Sequence, residues 1–272
     1  MREKKKYIGS RILIILLGFI YLVPFYILVV MSLKRQNDYT SKWLLPNYFT
    51  LENYINAWNS ANIPRALTNN LIIMVGVVCL SVFIGAMASY PLARRKTKIN
   101  NTIYAVIISL IVLPSISISA NLYKVMIDIK AIDTYWGIIL VITAFSLPMV
   151  IFLYTGFIST IPRELEEAAM IDGCNRFTAF FRIILPLLKS STITVVIFTG
   201  QAAWNDYAFA LLYLQSPEKQ NMTLTISTFF SEYHLELGWM SAGCIINALP
   251  LIIVFFCCQK YFIRGLTDGA VK

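Results

Sequence analysis

The sequence is poor in charge and in the residues that most enzymes use for catalysis. Only 14% of its 272 residues are Asp, Glu, Lys or Arg, whereas 58% are hydrophobic, and it has a single histidine, His234. A soluble globular core is the weaker interpretation, because the apolar residues form long blocks instead of stripes. An intramembrane enzyme would need a nucleophile with a nearby base, or metal ligands, and one loop histidine cannot supply them.

Nucleotide-binding and metal-binding signatures are missing as well. None of the 12 glycines is followed by Lys, so the phosphate-binding loop G-x-x-x-x-G-K-[ST] is absent. The five cysteines lack C-x-x-C spacing, which disfavours a metal cluster and a disulfide framework. The chain is therefore expected to bind no cofactor and no metal, and to be no enzyme.

What the sequence has instead is a series of apolar blocks long enough to cross a membrane. A helix needs about 20 residues to span a hydrocarbon layer of about 30 Å, and continuous apolar runs favour helices over a β-barrel. The blocks predict an all-α integral membrane protein with a single transmembrane domain and six spans, at residues 12–33, 71–93, 103–125, 136–158, 193–214 and 242–262. Pro114 and Pro148 predict kinks in the third and fourth spans.

Basic residues give the orientation of these spans. With a cytoplasmic N-terminus, 16 of the 23 Lys and Arg residues fall in inside segments and 7 in outside segments, so both termini are predicted to be cytoplasmic. This asymmetry and anionic lipid headgroups explain the net charge of +9, which lends no support to nucleic-acid binding. A cleaved signal peptide is the alternative for the first block. Pro24 and the lack of a small-x-small site favour a retained span.

The first outside segment, residues 35–70, is rich in aromatic residues and Pro. This composition predicts a structured cap or an interfacial helix at the level of the lipid headgroups. Contact with a partner outside and plain anchoring in the interface are both open.

The inside loop at residues 159–191 has the signals of two short helices. Pro162 fits a first helical turn, Glu164, Glu166 and Glu167 favour its positive N-terminal end, and Gly173 is placed to end it. Helical spacing recurs at Leu165, Ala168, Ala169 and Asp172, then at Phe177, Phe180, Phe181 and Ile184. Such a pair either lies on the membrane or docks a soluble partner. The acidic residues favour a protein partner, because anionic lipid would repel them.

This loop resembles the EAA loop of ABC importer permeases. The matching residues are Glu167-Ala168-Ala169, Gly173 after three intervening residues, and Ile183-Ile184-Leu185-Pro186. The segments LPMVIFLYTGFISTIPRELEEAAMIDG, AWNDYAFAL and QKYFIRGLTDGAVK extend the resemblance over nearly the whole chain. They are similar to the carbohydrate-uptake branch, in the position of its maltose-type second permease subunit. The chain departs from that pattern at Ala210 and at Ser190-Ser191, where Pro is usual, and at Tyr90-Pro91.

The resemblance implies a multi-pass permease of the bacterial inner membrane that forms half of the path for a sugar or oligosaccharide. Its implied partners are a homologous sister permease in a heterodimer, two copies of a cytoplasmic ATPase that hold ATP and Mg, and an extracytoplasmic solute-binding protein. In such permeases the helix pair sits in a cleft of the ATPase. The residues implied in this coupling are Glu164, Glu167, Ala168, Ala169, Asp172, Gly173, Phe177 and Pro186. The tail, residues 263–272, is implied to reach between the ATPases through Gly265, Thr267 and Gly269.

Polar residues within the predicted spans are candidates for lining the path, since such residues are costly in lipid. The fifth span offers a set of donors, acceptors and aromatic rings that suits sugar hydroxyls and pyranose faces: Gln201, Trp204, Asn205, Asp206 and Tyr207. The same residues are also able to hold helices together. Asn247 in the sixth span is a further candidate.

Two other transport functions are the alternatives. An ABC permease for a polyamine, phosphonate or peptide would share the loop, but the cluster at residues 204–207 and the tail argue against it. An ion-coupled secondary transporter would have an internal repeat and buried carboxylates paired across it, and the sequence has neither.

Overall fold

The computed structural model of the chain describes residues 2–230 and 236–270, with side chains for residues 11, 13–230 and 236–257. Throughout this part of the chain the regular structure is helical and there is no β-strand. The α-helices are α1 Arg2–Ser32, α2 Glu52–Ser60, α3 Ile63–Arg94, α4 Lys98–Ser109, α5 Ser119–Asp128, α6 Tyr135–Thr160, α7 Glu164–Ile171, α8 Arg176–Ala179, α9 Leu185–Leu187, α10 Lys189–Trp204, α11 Ala208–Tyr213, α12 Met222–Ser227 and α13 Leu237–Ala270.

Four helices are long and apolar enough to cross a membrane. They cover Leu13–Ser32, Ile63–Arg94, Tyr135–Thr160 and Leu237–Cys257, in agreement with the first, second, fourth and sixth predicted spans. The fourth predicted span, Tyr135–Thr160, continues as one helix through Pro148, where the sequence predicts a kink. The other two predicted spans correspond to bent helix pairs, so up to six crossings are available.

The third predicted span is broken at Pro114. The helical stretches Lys98–Val112 and Ser115–Asp128 meet at an angle of 97°. Leu113, directly before the proline, has an extended backbone with φ −74° and ψ 122°, because the proline ring disfavours the helical conformation of the preceding residue. The predicted kink at Pro114 is confirmed. The bend is larger than a kink, because the chain turns almost at a right angle there.

The fifth predicted span is also shorter than expected. Helix α10 ends at Trp204, and a separate helix, α11, begins at Ala208. The Asp206 carboxylate accepts hydrogen bonds from the backbone N–H groups of Ala210, at 2.8 Å, and Phe209, at 3.4 Å. A side chain that satisfies the free donors at a helix start fixes that start. One helix across residues 193–214 is therefore wrong.

The chain divides into two compact units, one containing Arg65–Leu224 and the other containing Thr225–Pro250 together with the N-terminal part up to Pro64. Within the larger unit, α6 is the central helix and packs against α10 and α11. Two buried clusters surround it, one with Ile138, Val141 and Tyr213, the other with Val150, Tyr154 and Ile184.

Close packing of α3 on α6 depends on glycine. A Cβ atom added to Gly85 would overlap the side chain of Val150, and one added to Gly76 would lie 2.6 Å from Ile139 Cδ1. Small residues let helices in a membrane approach closely, where dispersion contacts replace the hydrophobic effect as the source of stability. These two glycines therefore set the distance between the two longest helices of the larger unit.

One polar cluster of this unit closes the turn between α5 and α6. Asp133, with φ 55°, donates its backbone N–H to Tyr213 O at 2.7 Å. Its carboxylate accepts from Ser216 and from Lys219 Nζ, the latter at 3.2 Å. Burial raises the pKa of Asp133, but the hydrogen bonds from Ser216 and Lys219 outweigh it and leave the pKa below its usual value. The turn is thus tied to the segment after α11.

In the smaller unit, α2 is fixed to the C-terminal end of α1. Asn53 Nδ2 donates to Ser32 O at 2.9 Å and to Lys34 O at 2.6 Å. The hydroxyls of Ser32 and Tyr54 lie 2.8 Å apart. Carbonyls at a helix C-terminus lack partners within the helix, so the amide of Asn53 satisfies them and orients α2 at the same time.

Candidate functional site

The segment after α6 forms the predicted pair of short helices. Helix α7 covers Glu164–Ile171 and α8 begins at Arg176, as the sequence pattern predicts. Gly173 lies between them with φ +87°. Its N–H donates to Met170 O at 3.2 Å and the N–H of Cys174 donates to Ala169 O at 2.9 Å, which is the Schellman arrangement. Glycine is favoured there because a Cβ atom in this left-handed conformation costs about 1–2 kcal/mol.

A π-helical turn connects this pair to the next long helix. Helix α8 passes directly into the π turn Phe180–Ile184, and α9 Leu185–Leu187 follows. The whole stretch Arg176–Leu187 then meets α10 at 75°. Pro186 lies in the first turn of α9, where its missing N–H breaks the regular helical ladder. The predicted motif residue Pro186 thus sits at the corner between the helix pair and α10.

The inner side of α7 is anchored by an ion pair. Glu166 Oε1 accepts from Arg94 Nε at 2.5 Å, and Glu166 Oε2 accepts from the hydroxyl of Tyr90 at 2.7 Å. Both charged side chains are only 11% exposed. Arg94 Nη1 also donates to Ile161 O at 3.0 Å, and Arg163 Nη2 donates to Arg94 O at 3.2 Å. Several charge-assisted hydrogen bonds therefore join α7 to the end of α3.

The sequence alone indicates no role for Glu166 beyond favouring the helix N-terminus. The signal that was present is its position next to Glu167, because neighbouring residues in a helix point about 100° apart. Two adjacent glutamates therefore do not point the same way, and one of them is able to face the membrane helices. An inward carboxylate needs a cation, and Arg94 ends the preceding span on the same predicted side.

The outer side of the pair is exposed and mixed in character. Glu164, Glu167, Ala168, Asp172, Gly173 and Phe177 all lie on the surface. Ile171 and Phe177 are large apolar side chains that are mostly in contact with solvent. Ala169 is buried within the chain, so the expected close approach of a partner applies to Ala168 and not to Ala169. The structure thus brings most of the predicted coupling residues onto one free surface.

A cavity of about 380 Å³ lies between the helix pair and the end of α3. Its lining is rich in arginine, with Arg94, Arg95, Arg163 and Arg176, and also includes Glu167 and Phe177. Of these arginines, Arg94 is paired with Glu166. The cavity therefore adds positive charge beside the exposed face of α7.

The predicted path residues of the fifth span fall into two groups. Gln201, Asn205 and Tyr207 are exposed, whereas Trp204 is only 2% exposed. The backbone carbonyl of Trp204 accepts from Asn70 Nδ2 at 3.3 Å, and Asp206 holds the start of α11. The exposed three are free to meet a solute. The other two have contacts within the chain, and the assignment of the whole set to the path stays a prediction.

The remaining predicted residues lie elsewhere. Asn247 is half-buried in α13 and belongs to the smaller unit, whereas residues 201–207 belong to the larger one. Gly265, Thr267 and Gly269 lie near the end of α13, in the stretch whose side chains are not described. Their contact with an ATPase therefore stays a prediction. His234 and the last two residues lie outside the described part of the chain.

Comparison with known proteins agrees with this geometry. Residues 81–268 match the family model of the binding-protein-dependent transport system inner membrane component. The melibiose/raffinose/stachyose import permease protein MelC of Bacillus subtilis (strain 168) is 40% identical over 253 residues, covering 93% of this chain and 92% of that protein. The trehalose/maltose transport system permease protein MalG of Thermococcus litoralis is 31% identical over 280 residues, covering 100% and 99%.

The fold also matches a solved structure. The crystal structure of a bacterial ABC transporter involved in the import of the acidic polysaccharide alginate has a chain with a TM-score of 0.78 and 20% identity. The match covers 94% of this chain and 96% of that chain. Because the family model spans more than half of the residues, the chain belongs to the binding-protein-dependent transport system inner membrane component family and is a membrane-spanning permease subunit of an ABC importer, whose ATPase is a separate subunit.

Proposed function

We propose that this permease forms half of the path for a sugar or oligosaccharide and is coupled to ATP hydrolysis through α7 and α8. The observation that carries the coupling role is the different environment of two adjacent glutamates. Glu166 is held against Arg94 and Tyr90, whereas Glu167 is exposed beside Ala168. One side of α7 is thus fixed to the permease and the other is free for a partner.

The free side fits a cleft on a soluble protein with a basic residue for Glu167. Ile171 and Phe177 supply apolar surface, and Ala168 permits close approach. Apolar patches rimmed by polar residues are typical of contact surfaces. An ATPase cleft that receives both helices would bury them and pair the carboxylate.

The connections of the pair provide a route for movement. Helix α7 is tied to α3 by Glu166 and Arg94, and α8 runs through the π turn into α10. A short helix pair with a fixed turn at Gly173 moves as a rigid body, and such motion passes to the elements joined to it. ATP binding would bring the coupling helices of two permeases together, and the membrane helices would follow.

The assembly follows from the same function. Each complex has this permease, a homologous sister permease in a heterodimer, two ATPase copies that hold ATP and Mg, and a solute-binding protein outside the membrane. The bent stretch at residues 98–128 and helix α10 count as one span each, which gives six crossings with both termini in the cytoplasm of a bacterial inner membrane. The support is family membership and the excess of basic residues in the segments assigned to the inside.

The cargo is proposed from relatives and from the path candidates. The names of relatives from Bacillus subtilis and Thermococcus litoralis refer to melibiose, raffinose, stachyose, trehalose and maltose. Gln201, Asn205 and Tyr207 offer exposed amide and aromatic groups of the kind that bind sugars, with Asn247 as a further candidate. A polyamine, phosphonate or peptide remains the alternative cargo.

The coupling role is tested by charge reversal at Glu167 in the complete importer, reconstituted in proteoliposomes. Glu167→Lys should lower uptake about tenfold or more, because loss of a hydrogen bond to a charged group costs about 1.5–3 kcal/mol. The matched control is Glu52→Lys, which changes an exposed glutamate in the first turn of another short helix, α2. Normal uptake by Glu167→Lys, or equal loss in both variants, would contradict the assignment.

The cargo is tested separately on the cognate binding protein. Calorimetric titration with a panel of oligosaccharides, polyamines, phosphonates and short peptides should give tight binding to an oligosaccharide alone. Tight binding of any other class would replace the sugar assignment and leave the coupling role untouched.

A further inference from the structure

The segment between α1 and α2 is folded with polar groups inside. Lys34 is only 3% exposed, and its Nζ donates to Thr40 Oγ1 at 2.5 Å, to Ser41 O at 2.9 Å and to Thr40 O at 3.1 Å. Asp38 Oδ1 lies 3.9 Å from the same amine. A buried ammonium group requires such partners, so this lysine holds the segment in a defined fold.

Asp38 and Tyr48 continue this polar interior. The Tyr48 hydroxyl donates to Asp38 Oδ2 at 2.6 Å and accepts from the backbone N–H of Arg35 at 3.0 Å. The Arg35 guanidinium lies 4.9 Å from the centre of the Tyr48 ring. Hydrogen bonds from Thr40 and Tyr48 lower the pKa of Asp38 to about 2, so it is ionised at neutral pH. The segment is stabilised by polar contacts and not by an apolar core.

The apolar side chains of the same segment point outward. Trp43, Leu44 and Leu45 are 58%, 60% and 58% exposed, and they follow one another in the chain. Lys42, directly before them in the chain, is exposed too, and Leu44 and Leu45 line a cavity with Arg35 and Asp38. Three consecutive large apolar residues in water are unfavourable by roughly 25 cal/mol for each Å² of exposed apolar area. These exposed apolar side chains are therefore more stable in an apolar environment than in water.

The position of these residues identifies that environment. The Tyr26 hydroxyl donates to the carbonyl of Trp43 at 2.8 Å. Tyr26 lies six residues before Ser32, where α1 ends, and thus about 9 Å back along the helix at about 1.5 Å per residue. Helical side chains lean toward the N-terminus, so the Tyr26 hydroxyl does not reach back to the helix end. The segment therefore bends back beside α1, whose membrane-spanning window is only 6% buried within the chain.

We propose that Trp43, Leu44 and Leu45 form an anchor in the lipid interface at the C-terminal end of α1. The indole and the two leucines lie at the boundary of headgroups and acyl chains, where Trp is favoured and apolar side chains leave water. Lys42 reaches the phosphate groups, since basic residues near a membrane surface are attracted to anionic lipids. The anchor fixes the depth of α1 in the bilayer. It does not depend on the proposed coupling role.

Spin-label accessibility tests this in the assembled importer in nanodiscs. One variant carries a nitroxide at Leu44→Cys and the control carries it at Asn37→Cys, an exposed polar residue of the same segment. Both use a background without native cysteines that retains uptake. The Leu44 label should collide with oxygen several-fold more often than with a water-soluble nickel chelate, and the Asn37 label should have the reverse preference.

The other possible surroundings give different results. A Leu44 label that prefers the nickel chelate lies in water, and a label that is poorly accessible to both reagents is covered by the sister permease. A label that becomes inaccessible only when the binding protein is added lies in a docking surface for that protein. Each of these three results would overturn the anchor.

Lipid quenching provides a measurement that needs no cysteine. Lipids brominated near the carbonyl end of the acyl chain should quench part of the tryptophan fluorescence, and Trp43→Phe should lower that quenching, with Trp58 and Trp136 as other exposed tryptophans. Lipids brominated near the terminal methyl should quench wild type and variant equally. Unchanged quenching in Trp43→Phe with the first lipid would contradict an interfacial Trp43.

Discussion

Arg94 and Glu166 join the end of α3 to the start of α7 through a contact of 2.5 Å between Nε and Oε1. The two residues are 72 positions apart in the sequence, and the pair lies almost out of contact with solvent. A buried pair is sensitive to the loss of one partner, because the other charge is then left uncompensated. Helices α3 and α7 therefore have a fixed relation as long as both charges are present.

Neutralisation of both partners is predicted to destabilise the permease by less than the sum of the two single neutralisations. Arg94→Gln or Glu166→Gln alone should each destabilise the permease by about 3–5 kcal/mol, the usual cost of leaving one buried charge unpaired. The double variant should lose less than the sum of the two. Thermal unfolding of the purified complex measures the three values. Strictly additive losses would show that the two side chains do not interact.

The turn at Gly173 is predicted to reject β-branched residues. Gly173→Val should destabilise the turn by about 1–2 kcal/mol and lower uptake, because the backbone there has φ +87°. Gly173→Asn should be tolerated better, since Asn adopts this conformation more readily. The matched control is Gly156→Ala in α6, where an added Cβ meets no atom within 4 Å. Uptake assays of the three variants provide the comparison, and equal activity of Gly173→Val and Gly156→Ala would be the contrary result.

The contact between α3 and α6 is predicted to depend on the size of residue 85. Gly85→Val should lower the Tm, because a side chain there overlaps Val150. The added variant Val150→Ala should recover part of that loss by making room. Gly200→Ala serves as the control, since its Cβ would lie 3.6 Å from Val78 Cγ2, an ordinary contact distance. If the second substitution deepens the loss, the two residues are not in direct contact.

Among residues 201–207, substitutions are predicted to distinguish residues that stabilise the fold from residues that line the path. Trp204→Ala should cost about 3–5 kcal/mol of stability, the range for a buried aromatic side chain. Gln201→Ala and Tyr207→Ala should leave the Tm nearly unchanged, since both residues are exposed, and should change uptake or the preference among sugars. Differential scanning fluorimetry and uptake competition distinguish the two effects. Full uptake in both exposed variants would remove them from the path.

The sequence was sufficient to predict features that depend on local composition. Apolar blocks of spanning length identified four of the long helices, and the spacing around Gly173 identified a helix, a turn and a second helix. These features arise from interactions over a few residues, or from the match between block length and bilayer thickness. Neither requires knowledge of tertiary contacts.

The breaks within spans were harder to predict because hydropathy averages over about 20 residues. The apolar character continues past Leu113 and past Trp204, although the helices end there. At Trp204 the following Asn205 and Asp206 favour a turn and a helix start, and the same residues are candidates for the sugar path. The hydrogen bonds from α11 show that Asp206 fixes a helix start, and its place in the path stays a prediction.

The contact between Arg94 and Glu166 could not be predicted from the sequence, for a different reason. Each residue had a sufficient local explanation, Arg94 as part of the basic inside segments and Glu166 as an acid at a helix start. A contact between residues far apart in sequence is set by how α3, α6 and α7 pack. A single sequence contains no direct record of that packing.

The tie between α3 and α7 has a consequence for chimeric permeases. A graft of residues 164–179 alone would bring Glu166 into a host that lacks the hydroxyl of Tyr90 and the guanidinium of Arg94, both of which belong to α3. The transplanted helices would keep their exposed surface but would lie loosely on the host permease. The smallest exchangeable cassette therefore consists of two separate stretches of chain, the helix pair and the last turns of α3.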